Sequence, residues 1–191
     1  AILFENYLWR GNRSTKMSAD NFNAFKSNNY PSLAKIGLDI HFNEEALWRT
    51  KSIRPLKVQY TLDNSVMFID LNPGITETIL QHQLNTPNIK GIVLKTYGAG
   101  NAPTYQWFTK TIKEAVDRGI IILNVTQCVN GGVHPLLYMS GNQLASTGVI
   151  SGRDITSEAA LTKMMYLFGL GLSTDEVKRY LNCSLCGEVT I

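Results

Sequence analysis

From residue 66 onward, short apolar runs alternate with stretches of helical spacing. Val66-Met67-Phe68-Ile69, Gly91-Ile92-Val93-Leu94 and Ile120-Ile121-Ile122-Leu123 are the apolar runs. Between the first two, Thr76 to Leu84 places Ile79, Leu80, Gln83 and Leu84 on one helical face. Between the second and third, Tyr105, Phe108, Ile112, Ala115 and Val116 follow the three-four spacing of an amphipathic helix. Asn72-Pro73-Gly74 and Asp117-Arg118-Gly119 supply the breaks. This alternation predicts a parallel sheet covered by helices on both faces. Further on, Ser140 to Thr147 reads as a short helix stopped by Gly148, and Gly148-Val149-Ile150 as a short fourth strand. Thr156 caps a helix carrying Leu161, Met164, Met165 and Phe168. Ser173-x-x-Glu176 is a capping box ahead of Val177, Tyr180 and Leu181.

Upstream the pattern is less regular. Residues 2–9 read as an apolar strand, followed by the polar stretch Arg10-Gly11-Asn12-Arg13-Ser14-Thr15-Lys16. Pro31 opens a short helix that Gly37 closes, and Leu38-Asp39-Ile40 alternates like a strand. Residues 43–65 sustain no period and read as an interdomain linker with a short hairpin. The expected class is α/β, divided into a first block (1–42), a linker (43–65) and an α/β domain (66–191). The chain opens on Ala1 and an apolar strand, which reads as a fragment of a longer protein.

Composition narrows the function classes. At 191 residues and 44% hydrophobic, the chain can bury a substantial core. Lys plus Arg is 18 and Asp plus Glu is 15, a net charge of +3. That is too mild a basic excess for a nucleic-acid partner. No apolar run nears the roughly 20 residues a membrane span needs, and the start lacks the pattern of a signal peptide. No membrane partner is expected. Three cysteines are an odd count that suits a reducing cytoplasm. Cys183 and Cys186 form a lone C-x-x-C, with no second pair to complete a zinc site. They also follow a helix rather than open one, unlike a dithiol redox site. No metal or cofactor is expected.

Ligands of a parallel sheet gather beyond the carboxyl ends of its strands. Two polar loops occupy that rim, Lys95-Thr96-Tyr97-Gly98-Ala99-Gly100-Asn101-Ala102-Pro103 and Asn124-Val125-Thr126-Gln127-Cys128-Val129-Asn130-Gly131-Gly132. Backbone N–H groups and short hydrogen-bonding side chains suit a small zwitterion such as an amino acid. A dinucleotide is disfavoured: Pro103 stands where the third Gly of G-x-G-x-x-G belongs, and Asn124 where the ribose-binding acid belongs. In the first block, Lys16 lies beside hydroxyl residues and can help activate a hydroxyl nucleophile. His41 and His82 read as surface residues, and His134 as a possible ligand contact beside the Gly pair.

These residues resemble the C-terminal part of a cytoplasmic (type I) bacterial L-asparaginase. Arg10 to Lys16, followed by Phe22-x-Ala24-Phe25-x-Ser27, is similar to the family's R-G-N-R-[ST]-T-K … F-x-A-F-x-S segment. Leu94 to Pro103 resembles L-[RK]-[ST]-[YF]-G-x-G-N-A-P, and Asn124 to Cys128 resembles N-x-[ST]-Q-C. Gly148 to Lys163 resembles the late helix signature. The resemblance implies the end of an N-terminal catalytic α/β domain followed by a flavodoxin-like C-terminal domain. It implies hydrolysis of L-asparagine to L-aspartate and ammonia by a Thr nucleophile, and self-association as a dimer or tetramer. Lys16 would assist proton transfer, and Asn101 would hold substrate in a neighbouring subunit. Thr15, Lys95, Thr126, Gln127 and Cys128 would bind asparagine as an effector. Lys95 stands where relatives commonly carry Arg, which forgoes a bidentate carboxylate fork. The family's T-G-G-T-I and G-T-D-T segments do not occur here. Thr174-Asp175 belongs to the capping box and reads as structural. About 150 residues of a typical two-domain enzyme are expected upstream, and the chain alone is expected to be inactive. The competing reading is a non-catalytic amino-acid-binding module that regulates or dimerises.

Overall fold

The computed structural model describes residues 1–49, 55, 57–134 and 139–191. The apolar run at 2–9 is not one strand. Glu5 takes a φ of 52° and turns the chain, so Ile2–Phe4 (β1) pairs antiparallel with Tyr7–Trp9 (β2). Thr15–Lys16 (β3) pairs with Phe25–Lys26 (β4) as a separate short ribbon. The helix expected from Pro31 to Gly37 is a strand instead. Ala34–Ile36 (β5) lies between β2 and Ile40–Phe42 (β6), giving a four-stranded sheet in the order β1-β2-β5-β6. In this segment tertiary pairing overrides the local Pro-first, Gly-last cue. As a strand its backbone finds partners on both sides, and Leu33 and Ala34 are buried. The strand read at 38–40 starts only at Ile40, because Gly37 donates its N–H to the Asp39 carbonyl and closes a turn.

A 3-10 turn spans Glu44–Ala46. The hairpin expected within 43–65 has no strand among residues 57–65; residues 50–54 and 56 lie outside the described ones. Residues 59–63 instead run along a later helix, where Asp63 N–H donates to the Met165 carbonyl.

The alternating region folds as the pattern predicts. Val66–Asp70 (β7), Glu77–Leu84 (α1), Gly91–Thr96 (β8), Gln106–Asp117 (α2), Ile121–Thr126 (β9), Met139–Ala145 (α3) and Ile150–Ser151 (β10) follow in order. Ser157–Gly169 (α4) and Thr174–Leu181 (α5) complete it. The four strands are all parallel, in the order β10-β9-β8-β7. β10 begins two residues later than the expected strand, since Gly148, at φ 91°, is still part of the stop after α3.

The two-residue period of the strands divides their side chains between two cores. Ile92, Leu94, Ile120 and Ile122 face Leu80, Leu84, Phe108, Ile112 and Leu144 of α1, α2 and α3. Val93, Ile121, Leu123 and Val125 face Ala160, Met164, Leu167, Val177 and Leu181 of α4 and α5. The caps read at Thr156 and Ser173 form: Thr156 accepts from a backbone N–H group, and Ser173 with Glu176 closes both halves of its box; Thr76, read as the first helical residue, instead caps α1.

Beyond α5, residues 182–191 carry no helix or strand and tie the first block to the parallel domain. Arg10 donates to the carbonyls of Gly187 and Ala46, Asn12 to that of Cys186, and Arg13 to that of Glu188. Among the described residues, no helix is long and apolar enough to cross a membrane.

Candidate functional site

The parallel register carries β8 and β9 to the same rim. Lys95 lies level with Val125 and Thr96 with Thr126, so both polar loops leave the sheet side by side. At the end of β9, the Thr126 hydroxyl donates to the Gly98 carbonyl at 2.6 Å and accepts from Cys128 N–H at 2.9 Å. The Gln127 amide donates to the carbonyls of Leu71 at 2.6 Å and Lys95 at 3.0 Å. These side chains hold three strand ends in register. Beneath them, buried Asn124 accepts from the Thr96 hydroxyl at 2.6 Å.

A pocket of about 190 Å³ opens against this rim. Thr15, Lys95, Thr126, Gln127 and Cys128 all line it, together with Asn29 and the first turn of α4. Lys95 brings an ammonium group, which also pairs with Asp70 at 2.8 Å. Glu158 brings a carboxylate that accepts from the Thr15 hydroxyl at 3.2 Å. Asn29 grips the loop after β9 at two points. Its side chain donates to the Gly131 carbonyl at 2.7 Å and accepts from Gly131 N–H at 2.8 Å. One cation, one carboxylate and several hydroxyls in so small a volume can bind both ends of a zwitterion.

The other two expected site residues lie elsewhere. Lys16 follows Thr15 on β3 but faces a different hollow, beside Phe4, Asp20 and Phe22. Asn101 closes the turn after β8, where its backbone pairs with Tyr97 and its side-chain carbonyl accepts from the Ser140 hydroxyl at 3.0 Å. That turn needs Gly100, which sits at φ 106° and would bring a β-carbon to 2.7 Å from Val133. His134 lies with Gly131, Gly132, Arg153 and Asp154 in a further hollow. Cys128, Cys183 and Cys186 are free thiols. Burial pushes the Cys186 thiol up from its ordinary value, and the Glu188 carboxylate adds to the shift.

Sequence reading missed two buried ion pairs and one carboxylate. Arg13 and Asp154 form a bidentate pair at 3.0 and 2.7 Å, with the Arg13 side chain 1% exposed. Burial alone would raise the Asp154 pKa, but hydrogen bonds from Arg13 and Thr190 outweigh it and hold the carboxyl below its ordinary value. Lys163 and Glu188 pair at 2.7 Å, each side chain 4% exposed. Burial would raise Glu188 too, yet Lys163 and the N–H groups of Cys186 and Leu185 bring it down to about 2. The signal for Lys163 was present, since it falls on the stripe formed by Ala160, Met164 and Leu167. Glu158 was also overlooked, two residues past a correctly read cap.

Residues 65–181 match the family model for the Glutaminase/Asparaginase C-terminal domain, and residues 1–48 match that for Asparaginase, N-terminal. The chain therefore belongs to the glutaminase/asparaginase family. L-asparaginase 1 of Escherichia coli strain K12 is 37% identical over 198 residues, covering 99% of this chain and 55% of that protein. A human 60 kDa lysophospholipase is 40% identical over 190 residues, covering 99% of this chain and 33% of its own length. The solved structure of L-asparaginase I from Vibrio cholerae matches with a TM-score of 0.91 at 39% identity, covering 99% of this chain and 57% of that one. The chain spans about half the length of the asparaginases it matches.

Proposed function

We propose that this chain is part of a cytoplasmic, type I L-asparaginase that hydrolyses L-asparagine to L-aspartate and ammonia. In this reading residues 1–42 end a catalytic domain, 43–65 link, and 66–191 form a C-terminal domain that takes part in a dimer or tetramer. Lys16 pairs with the Asp of the family's Thr-Asp pair and eases proton transfer at that second Thr; neither that pair nor the attacking Thr is contributed by this chain. Asn101 holds substrate at the active site of a neighbouring subunit. Thr15, Lys95, Thr126, Gln127 and Cys128 bind asparagine as an effector. The supporting observation is that these five residues, drawn from three separate segments, line one pocket with Glu158. The Lys95 ammonium suits the α-carboxylate, and Glu158 suits the α-ammonium. With Thr126 and Gln127 holding carbonyl groups, the discriminating contacts fall to Lys95, Glu158 and Thr15.

Calorimetry of the chain with L-asparagine tests the pocket. Saturable binding in the parent, weakened about tenfold or more by Glu158→Gln through loss of a charged hydrogen-bond partner, is expected. No heat of binding would remove the effector role. An ammonia-release assay tests the catalytic half. The chain alone is expected to release none. In an active polypeptide containing it, Lys16→Ala is expected to lower turnover by about 10²–10⁴-fold. Unchanged turnover would take Lys16 off the catalytic list.

A further inference from the structure

The loop after β9 contains Asn130-Gly131, the chain's one Asn-Gly pair. In such a pair the Gly nitrogen can close a five-membered ring on the Asn side-chain amide carbon, and the Gly has no side chain to crowd the attack. Both residues are exposed, and a β-carbon at Gly131 would meet nothing within 4 Å. Packing therefore does not hold this reaction back.

Hydrogen bonds hold the loop instead. Its start is fixed by Cys128 N–H, which donates to the Thr126 hydroxyl at 2.9 Å. Its end is fixed by Val133 N–H on the Arg153 carbonyl at 2.8 Å and His134 N–H on the Ala99 carbonyl at 2.9 Å. Between these anchors Gly131, at φ 85°, is gripped by Asn29. Asn29 Oδ1 accepts from Gly131 N–H at 2.8 Å, and Asn29 Nδ2 donates to the Gly131 carbonyl at 2.7 Å. Nδ2 also reaches the Asp154 carbonyl at 3.3 Å. Asn29 lies 102 positions upstream of Gly131, in the first block. The nitrogen that would attack Asn130 thus has its proton engaged from across the join.

We infer that Asn130 is a self-deamidation site which Asn29 holds in check, so that its conversion records how long the join has been open. The co-reactant is water. The Gly131 nitrogen gives up its proton and attacks the Asn130 side-chain amide carbon. The new bond closes a succinimide, the bond to the side-chain nitrogen breaks, and that nitrogen leaves as ammonia with the proton Gly131 gave up. Water then opens the ring, at one carbonyl to Asp and at the other to isoaspartate. Either product puts a carboxylate where a neutral amide stood, beside the rim that Cys128 and Val129 line. Isoaspartate also lengthens the backbone. While Asn29 is seated, Gly131 keeps its proton and its peptide plane cannot swing toward Asn130. The reaction therefore runs through the open form of the clasp, at a rate set by that form's population. None of this depends on amino-acid binding at the rim.

The test is prolonged incubation of the chain at mildly alkaline pH, followed by peptide mass mapping. The mapping reads the exchange of NH2 for OH at Asn130 and separates Asp from isoaspartate. A synthetic peptide of residues 126–133 sets the unrestrained rate. The parent chain is expected to convert at least about fivefold more slowly than the peptide, the least that two hydrogen bonds of ordinary net strength hold back. Asn29→Ala is expected to approach the peptide's rate. A parent that converts as fast as the peptide, or a folded Asn29→Ala that converts no faster than the parent, overturns the inference. If Asn29→Ala does not fold, hydrogen exchange at the Gly131 amide of the parent decides. Protection relative to the peptide supports the clasp, and exchange at the peptide's rate overturns it.

Discussion

The parallel domain and its join to the first block are held by opposite means. Inside the domain, apolar side chains fill both faces of the sheet, and Phe108, Ile112, Leu80 and Ile92 are fully buried. At the join, the buried groups are guanidinium, amide and carboxylate. Arg10 lies over the rings of Tyr30 and Trp48, with its central carbon 4.2 and 5.8 Å from their centroids. Arg13, Asn12 and Asn29 spend their donors on carbonyl groups across the boundary. Apolar packing tolerates swaps that conserve volume. A buried polar network tolerates almost none, because each missing partner strands another group without water. The join is thus the more exacting of the two regions, though it buries less apolar surface.

The contrast can be broken first from the apolar side. Phe108→Ala should cost about 3–5 kcal/mol and lower the denaturation midpoint of the whole domain. A loss under about 1 kcal/mol would mean the first core collapses easily around the gap. Removing one member of the Lys163–Glu188 pair should be similarly costly, about 3–5 kcal/mol for Glu188→Ala, because Lys163 is left charged and buried. The paired change Lys163→Met with Glu188→Leu should recover most of that loss. If it does not, the backbone N–H groups of Leu185 and Cys186 that Glu188 accepts matter more than the charges.

Smaller effects should separate the regions further. Asp154→Asn is expected to cost about 1.5–3 kcal/mol and to speed hydrogen exchange in β1, β2 and β5 ahead of β8 and β9. Equal acceleration in both sheets would mean the join and the domain unfold as one unit. Acid should reproduce that order. Glu188, at about 2 when folded, binds protons less readily than in the unfolded chain, where a Glu titrates near about 4.3. Its contribution is complete above the unfolded value and disappears as pH falls toward about 2; Asp154 is shifted in the same direction. A melting temperature that stays flat through this acid range would show the two carboxylates to be energetically idle. Last, Ser173→Ala should cost about 1 kcal/mol and loosen α5 alone, as read from exchange in Val177 to Leu181.

The same contrast governs how much was legible in the sequence. Strands buried on both faces, such as Ile120 to Leu123, announce themselves as unbroken apolar runs, and the helices between them by their spacing. The first block has strands of two or three residues whose pairing is set by distant partners. Its local cues misled: Pro31 and Gly37 suggested a helix, and the run at 2–9 concealed the Glu5 turn. At the rim, strand ends drew attention to Lys95, Thr126, Gln127 and Cys128 from position alone. Thr15 came in only through family likeness, because nothing in its own neighbourhood tells of the approach of α4. Asn29 and Glu158 carried no local mark, and Arg13 lay in a stretch that reads as solvated although its side chain is enclosed.

The contacts between Arg10 and Gly187 and between Arg13 and Thr190 each join residues 177 positions apart. During synthesis, at about 5–20 residues per second, the first partner waits roughly 10–35 seconds for the second to be made. Until then the arginines have only the early carbonyls of Ala46 and Asn29 to meet, and the early strands remain open to other chains. Protease digestion of ribosome-bound nascent chains should therefore show β1 and β2 cut readily until residues 186–190 have left the exit tunnel.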